Sequence, residues 1–403
     1  DLCKKIIAAP TTAAPTEPST PTVDVTGAID LPANTVVVDD DCDKDGDVIV
    51  FTFGGVKYKA TVGKDAFYSP MDAQNAVTAG GTIFFLPGFY MENFQVQKDL
   101  TLLGPKAGIS PNVKGANPTD DWTLNPERSK EEDEAVLMSN LGLGVWNATV
   151  YSDCHKIVMD GFKFSQNFLL RQNTGNEGEV EIEMYNILIS GSTITNNILF
   201  FFPYYPNDAT NPDLYKRHLK MENVRVEGVT AQYLFRMGFE TLEISGLYMD
   251  SKCTKGVVEK FATAAGVGTD KYVIKDSMFR NTNTTIFSIN LRNDLAAPNW
   301  RLDHFGIDKK QIDIEISGCV FYGADLPSEH APWIKINRDS TAAIVRIKDN
   351  VFVSNNTGSV IVTDEGSVEG EYFFATEISG NEVIGCANPY KFVAAKDAAL
   401  FLN

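Results

Sequence analysis

An acidic run near the amino terminus has the residue spacing that points most directly to chemistry. Asp41, Asp43 and Asp45 alternate before a glycine, and Asp47 follows it. This spacing matches the first half of an EF-hand calcium loop, but position 12 of such a loop would be Thr52 instead of the usual Glu. Two interpretations therefore stay open: Ca²⁺ bound by these four aspartates, or an acidic solvated loop, which we favour.

Two long insertions later in the chain carry candidate ligand-binding residues. The first contains Tyr204 and Tyr205, and the second contains Trp300, Arg301 and His304. Loops that project from one side of a repeat protein commonly form its binding site, and aromatic rings there could stack on sugar rings. We therefore predict a polysaccharide ligand for these five residues. The alternative is that the phenylalanine run before Tyr204 starts a strand and packs inside.

We assign no catalytic residues from the sequence. The four histidines are widely spaced, and no Ser-His-Asp motif or nucleophile elbow is present. Arg346 and Lys348 alternate with the apolar Ile347, which is the pattern of the outward face of a strand. The sequence thus favours a non-catalytic protein.

A short pattern recurs from about residue 159 to residue 385. It consists of an apolar residue, a polar residue, then Gly, Asp or Asn, two variable residues, and a second apolar residue. The third position recurs every 23 to 42 residues. The eight copies begin at Met159, Ile189, Met221, Ile244, Ile274, Ile316, Ile347 and Ile378.

The recurring pattern predicts an all-β solenoid. Apolar residues alternate on both sides of each copy, so each copy is expected to be a strand, a corner and a second strand with one buried face. Gly, Asp and Asn suit the corner because they tolerate left-handed backbone angles. Stacking the copies would pair neighbouring strands in parallel and bury a continuous core. We therefore predict a parallel β-helix.

Three segments organise the chain. Residues 1–30 form an arm rich in Pro and Thr, which could add a strand to another copy and so make a homo-oligomer or fibre. Residues 31–68 are predicted to be a small β unit with a hairpin turn at Gly54-Gly55. Residues 69–403 contain the β-helix and a segment that closes its carboxyl-terminal end.

The last segment is expected to open with a helix at residues 69–80, with Ser69 as its N-cap and Pro70 at its first position. Farther on, residues 106–134 form a polar excursion that ends in four acidic residues. We expect that acidic end to be a solvated turn.

Two motifs resemble a known family. Residues 80–93, with the sequence GGTIFFLPGFYMEN, and residues 101–105, TLLGP, resemble the opening of pectin-lyase-like right-handed β-helix proteins. The resemblance covers roughly residues 65–390. It implies a right-handed coil whose amino-terminal end is capped by the helix, and a fold that in other members carries polysaccharide lyases. Residues 104–109 and the hairpin also resemble surface proteins of gut bacteria.

Composition limits the partners. The net charge of −18 argues against nucleic acid and anionic membranes as ligands. The sequence contains no run of 18 apolar residues, so it predicts no transmembrane segment. The six cysteines include no C-x-x-C pair, so they favour either three disulfides, whose pairing the sequence leaves open, or buried free thiols.

Together these features predict a secreted or cell-surface protein. Its expected role is structural, adhesive or filament-forming, without catalysis. The alternative is a carbohydrate-active enzyme or binding module, similar to a polysaccharide lyase, that acts on an acidic polysaccharide.

Overall fold

The regular structure is almost entirely β-strand, and most strands run parallel. The computed structural model describes residues 23–138, 147–150, 153–165, 169–172, 179–193, 198–202, 217–237, 241–260, 269–280, 285–290, 311–337, 343–364 and 374–391. Within these residues the strands form two long parallel sheets and two small ones. The prediction of an all-β protein is confirmed, and the long stacked sheets are compatible with a parallel β-helix.

The first long sheet takes one strand from each repeat. Among the described residues it has twelve strands, all paired in parallel. In spatial order these are Ala66–Phe67, Thr35–Val38, Gly81–Phe85, Leu100–Leu103, Lys156–Asp160, Val180–Tyr185, Arg217–Glu222, Thr241–Ser245, Thr269–Lys275, Gln311–Ser317, Ala343–Lys348 and Phe374–Ser379.

The second long sheet takes two segments from each repeat. Among the described residues it has eighteen strands, and its pairings are also parallel. In chain order these are Gly88–Tyr90, Gln95–Val96, Ala135–Leu137, Asn147–Val150, Lys163–Phe164, Leu169–Gln172, Leu188–Thr193, Ile198–Phe202, Arg225–Met237, Tyr248–Lys260, Met278–Arg280, Phe287–Asn290, Val320–Gly323, Ile334–Asn337, Val351–Ser354, Ile361–Asp364, Glu382–Ile384 and Tyr390–Lys391.

The remaining elements are short. The predicted hairpin is confirmed: Val48–Phe53 pairs antiparallel with Val56–Thr61, and Ile29–Asp30 adds a parallel strand to it. A two-stranded sheet joins Asn112–Val113 to Thr123–Leu124. Single-turn 3₁₀ helices span Pro126–Arg128 and Glu131–Asp133.

The predicted helix is present but shorter than expected. It runs from Pro70 to Ala76, and the Ser69 hydroxyl accepts hydrogen bonds from the backbone N–H groups of Met71 and Asp72. The N-cap prediction is therefore confirmed. The helix ends before residue 80 because Val77 is extended and is buried in the core.

In every repeat that the prediction named, the corner residue between the two long sheets has a left-handed backbone conformation. The prediction placed one of these corners at the wrong residue. The predicted corner Gly191 lies within a strand, and Asn186 is the actual corner, with φ of 53°. Met184 pairs with Met159, and Ile189 occupies the second apolar position of the copy. The error arose because two overlapping stretches fit the same pattern. The eight observed corners, all with positive φ, are Gly161, Asn186, Asn223, Gly246, Asp276, Gly318, Asp349 and Gly380.

One contiguous core lies between the two long sheets. The first apolar residue of every predicted copy is buried in it, from Met159 to Ile378, and this includes Ile189 of the misplaced second copy. Phe279, Phe321 and Phe352 stack on successive parallel strands, with ring centroids 5.2 and 4.7 Å apart. Burying this row of apolar side chains is the main driving force that holds the repeats together.

A long connection lies across the outward face of the eighteen-stranded sheet. We call residues 106–134 the strap. Trp122 of the strap packs with Tyr248, Met278 and Val320, which occupy one outward row on three successive strands. The Asn112 side-chain amide donates to two backbone carbonyls of neighbouring repeats. The strap therefore bridges several repeats instead of projecting into solvent.

A buried ion pair fixes the end of the strap. The side chains of Arg128 and Glu134 are both 0% exposed, with Arg128 Nε 2.6 Å from Glu134 Oε1. The remaining guanidinium donors reach the carbonyls of Ile109, Phe162 and Asn186, so all five N–H groups are used. The expectation of a solvated turn is wrong for Glu134, although the three acidic residues before it are exposed.

Four cysteines with described side chains are free thiols. They are Cys42, Cys154, Cys319 and Cys386, and the first three are buried. The disulfide alternative is thus excluded among these four. Burial raises the pKa of the Cys319 thiol to about 12, which keeps it protonated and unreactive.

Candidate functional site

The acidic loop adopts a different arrangement from an EF-hand. The carboxylate oxygens of Asp39, Asp40 and Asp41 lie within 4.8 Å of one another. Of the four predicted calcium ligands, only Asp41 belongs to this cluster; Asp43, Asp45 and Asp47 are exposed and are not part of it.

Backbone pairing explains the difference. The N–H of Gly46 donates to the Val62 carbonyl, and the Val62 N–H donates to the Asp47 carbonyl. This part of the loop is therefore already committed to the hairpin. Asp47 also lies 4.0 Å from the Lys44 ammonium. Ca²⁺ binding by Asp41, Asp43, Asp45 and Asp47 stays a prediction.

Backbone N–H groups hold the carboxylates of Asp39 and Asp40 in place. Asp40 Oδ2 accepts a 2.7 Å hydrogen bond from the Phe89 N–H. A Cβ at Gly88 would lie 2.2 Å from Asp40 Oδ1, so only glycine leaves room for this carboxylate. Burial raises the pKa of Asp39, and the charges of Asp41 and Asp40 add to this, against a hydrogen bond from the Asp41 N–H.

The predicted sugar-binding residues Tyr204, Tyr205, Trp300, Arg301 and His304 lie outside the described residues. Their role stays a prediction.

The outward face of the twelve-stranded sheet carries a group of polar side chains that are not among the residues predicted from the sequence. They line an open depression of about 180 Å³ across three neighbouring strands. We call the six residues with ionisable or hydroxyl side chains the outer grid: Glu181, Glu183, His218, Lys220, Thr241 and Glu243.

Strand register sets the arrangement of the outer grid. Glu181, His218 and Thr241 are successive partners in one row, while Glu183, Lys220 and Glu243 form the next. The apolar residues between them, such as Leu219, point into the core. Alternation along each strand could have revealed the outward residues. The rows could not be aligned from sequence, because the second copy was assigned the wrong corner.

A charge network occupies one side of the outer grid. Lys156 Nζ lies 3.1 Å from Glu181 Oε2 and 2.8 Å from Glu183 Oε1, and the Tyr185 hydroxyl donates to Glu183 at 2.9 Å. Burial raises the pKa of Glu183, but the hydrogen bonds from Lys156 and Tyr185 outweigh it and lower the net value. A hydrogen bond to Tyr185 raises the pKa of Lys220, whose ammonium lies over the tyrosine ring.

His218 lies at the centre of one row with an incompletely satisfied ring. Its Nδ1 is 2.8 Å from the Thr241 hydroxyl oxygen. Its Nε2 is shielded from solvent and lies 2.9 Å from Glu179 Oε1, but without hydrogen-bond geometry. This ring nitrogen therefore has unused hydrogen-bonding capacity within the described part of the chain.

A second histidine contacts a serine elsewhere on the molecule. His330 Nε2 is 2.8 Å from the Ser354 Oγ, and its Nδ1 is 2.8 Å from the Ala331 carbonyl. Ser354 is 2% exposed and also accepts from the Asn356 N–H. This serine is closed to substrate, so the contact stabilises a turn and does not form a nucleophilic site.

Comparison with family models, curated proteins and solved structures finds no match to the chain. The resemblance to pectin-lyase-like proteins therefore depends on the motifs at residues 80–93 and 101–105 and on the parallel sheets. Among the described residues, the helices are too short and too polar to cross a lipid bilayer.

Proposed function

We propose that the protein is a secreted or cell-surface right-handed parallel β-helix with a structural, adhesive or filament-forming role and no catalytic activity. The observation that carries this proposal is the core, in which register-matched apolar residues continue through the repeats from Met159 to Ile378. Such a rod is stabilised by contacts between neighbouring repeats and can be extended without limit. In this proposal the Pro70–Ala76 helix caps the amino-terminal end of the coil.

Three charged groups in and beside the outer grid are not tuned for proton transfer near neutrality. General acid–base catalysis requires a group whose pKa lies near the working pH. Here the pKa of Glu183 is lowered and those of Lys156 and Lys220 are raised, so all three stay charged near neutrality.

The base of the arm supports a filament-forming role. Val23, Val25 and Ile29 are 44%, 45% and 55% exposed. Among the described strands, Val48–Phe53 forms an edge of the three-stranded sheet and has a partner on one side only. An exposed edge of this kind can accept an extended segment from another copy.

Electron microscopy of the full chain and of a variant lacking residues 1–30 tests this role. We expect filaments or oligomers from the full chain and monomers from the shortened one. Monomers in both preparations, across a range of concentrations, would remove the filament role.

The alternative is a carbohydrate-active enzyme or binding module. The open depression at the outer grid favours a binding module, while the lyase depends on the fold resemblance alone. For a lyase acting on an acidic polysaccharide, the test is the ultraviolet absorbance of unsaturated uronate products, measured with and without Ca²⁺. Absorbance that grows with enzyme concentration would establish the lyase, and its absence across a uronate polysaccharide panel would exclude it.

A further inference from the structure

The outer grid has the dimensions of a small, flat ligand site. Adjacent strands lie about 4.8 Å apart, and outward residues on one strand are separated by two residues, or about 6.6 Å. Three strands with two outward residues each therefore present polar groups at the scale of a single sugar ring. Strand pairing on both sides holds this array in place.

The grid offers both acceptors and donors. Glu181, Glu183 and Glu243 provide carboxylate oxygens, while Lys220 and Thr241 provide an ammonium and a hydroxyl. Glu243 is exposed and makes no hydrogen bond or ion pair with the described residues. The Nε2 of His218 is shielded from solvent beside Glu179, so the free hydrogen-bonding capacity in the depression lies at Glu243. A ligand with several hydroxyl groups, each a donor and an acceptor, matches such a mixture.

The charge of the depression decides between ligand classes. Its lining holds three carboxylates against one ammonium, and Lys156 beside it adds a second positive charge without reversing the sign. A carboxylate-bearing sugar would face repulsion from Glu243, which has no cation paired with it among the described residues. The acidic polysaccharide of the sequence-based alternative is therefore a poor ligand for this particular site.

We propose that the outer grid binds a neutral, hydroxyl-rich saccharide unit, whose hydroxyls donate to the glutamate carboxylates and accept from Lys220 and Thr241. The proposal rests on the binding-module alternative for its biological role and is independent of filament formation. It also differs from that alternative in the charge of the ligand.

Saturation-transfer NMR and calorimetry with the full chain test the site. The probes are a panel of neutral oligosaccharides, a matched panel of uronate oligosaccharides, and CaCl₂ alone. The variant is Glu243→Ala, and the control is Glu377→Ala. Glu377 is also exposed and lies in the same outward row, four strands away and outside the depression.

We expect at least one neutral oligosaccharide to bind. Glu243→Ala should weaken its affinity about tenfold, because the variant loses roughly one charged hydrogen bond. Glu377→Ala should leave the affinity unchanged. Several results would overturn the proposal. They are no binding by any neutral sugar, binding confined to uronates or to Ca²⁺, and equal affinity in both variants. Filaments seen by microscopy would survive any of these results, so the two proposals fail separately.

Discussion

The buried ion pair of the strap allows the sharpest prediction about stability. We consider Glu134→Ala, which leaves the Arg128 guanidinium inside the protein without a counter-ion. Removing one partner of a buried pair costs about 3–5 kcal/mol. Because about 1.4 kcal/mol corresponds to a tenfold change, opening of the strap should become about two to four decades more favourable.

The loss of stability depends on which partner of the pair, Arg128 or Glu134, is removed. Burial raises the pKa of the Glu134 carboxyl, against the hydrogen bonds and charge of Arg128. In Arg128→Met the carboxyl can therefore escape part of the cost by binding a proton. An arginine has no such escape, because its guanidinium does not lose its proton in proteins. We thus expect Glu134→Ala to be the more damaging change at neutral pH.

Hydrogen exchange read by mass spectrometry on peptides from residues 125–134 measures this opening directly. The control is Glu131→Ala. Glu131 lies in the same part of the strap and pairs with Lys163, but its side chain is 51% exposed. Exposed pairs contribute about 0–1 kcal/mol, so the control should change exchange by no more than about fivefold. Equal exchange in the two variants, or wild-type exchange in Glu134→Ala, would refute the claim that the buried pair anchors the strap.

Two further perturbations test the corners and the pH response. Gly161 and Gly108 have φ of 78° and 77°, but a Cβ would lie 2.0 Å from the Ala107 nitrogen only at Gly161. Gly108→Ala should cost about 1–2 kcal/mol in urea unfolding and Gly161→Ala clearly more, and equal losses would contradict the close approach. Burial lowers the pKa of His330, so the unfolded chain binds its proton more readily than the folded chain. Stability should therefore fall as the pH drops below about 6.5, and His330→Gln should weaken that fall in urea midpoints at pH 7.5 and 5.5. An identical pH dependence in both proteins would exclude this role for His330.

The sequence predicts the repeating core well because each copy carries its own signal. Ile316 and Ile347 lie two residues before a left-handed corner, and both are fully buried as expected. The Arg346 and Lys348 side chains alternate with Ile347 and pair with acids of neighbouring strands, as an outward face should. Alternation and corner chemistry are local properties, and so they can be read from one stretch of chain.

Features that depend on distant parts of the chain were missed. The strap looks like a polar excursion, because Arg128 and Glu134 are ordinary surface residue types when they are unpaired. Their burial follows from three carbonyl groups that lie up to 58 residues away along the chain. The outer grid was missed for a similar reason, since its rows depend on the register of strands joined by long connections.

The central claim is that the repeats share one interior, and the methionines offer the most direct test. Met159, Met184 and Met221 are register partners on three successive strands and are at most 1% exposed. In a selenomethionine crystal, the anomalous map should show their three selenium atoms in one row, at spacings near the strand separation of about 4.8 Å. Three selenium sites in separate parts of the molecule would contradict the shared core and the register that builds the outer grid.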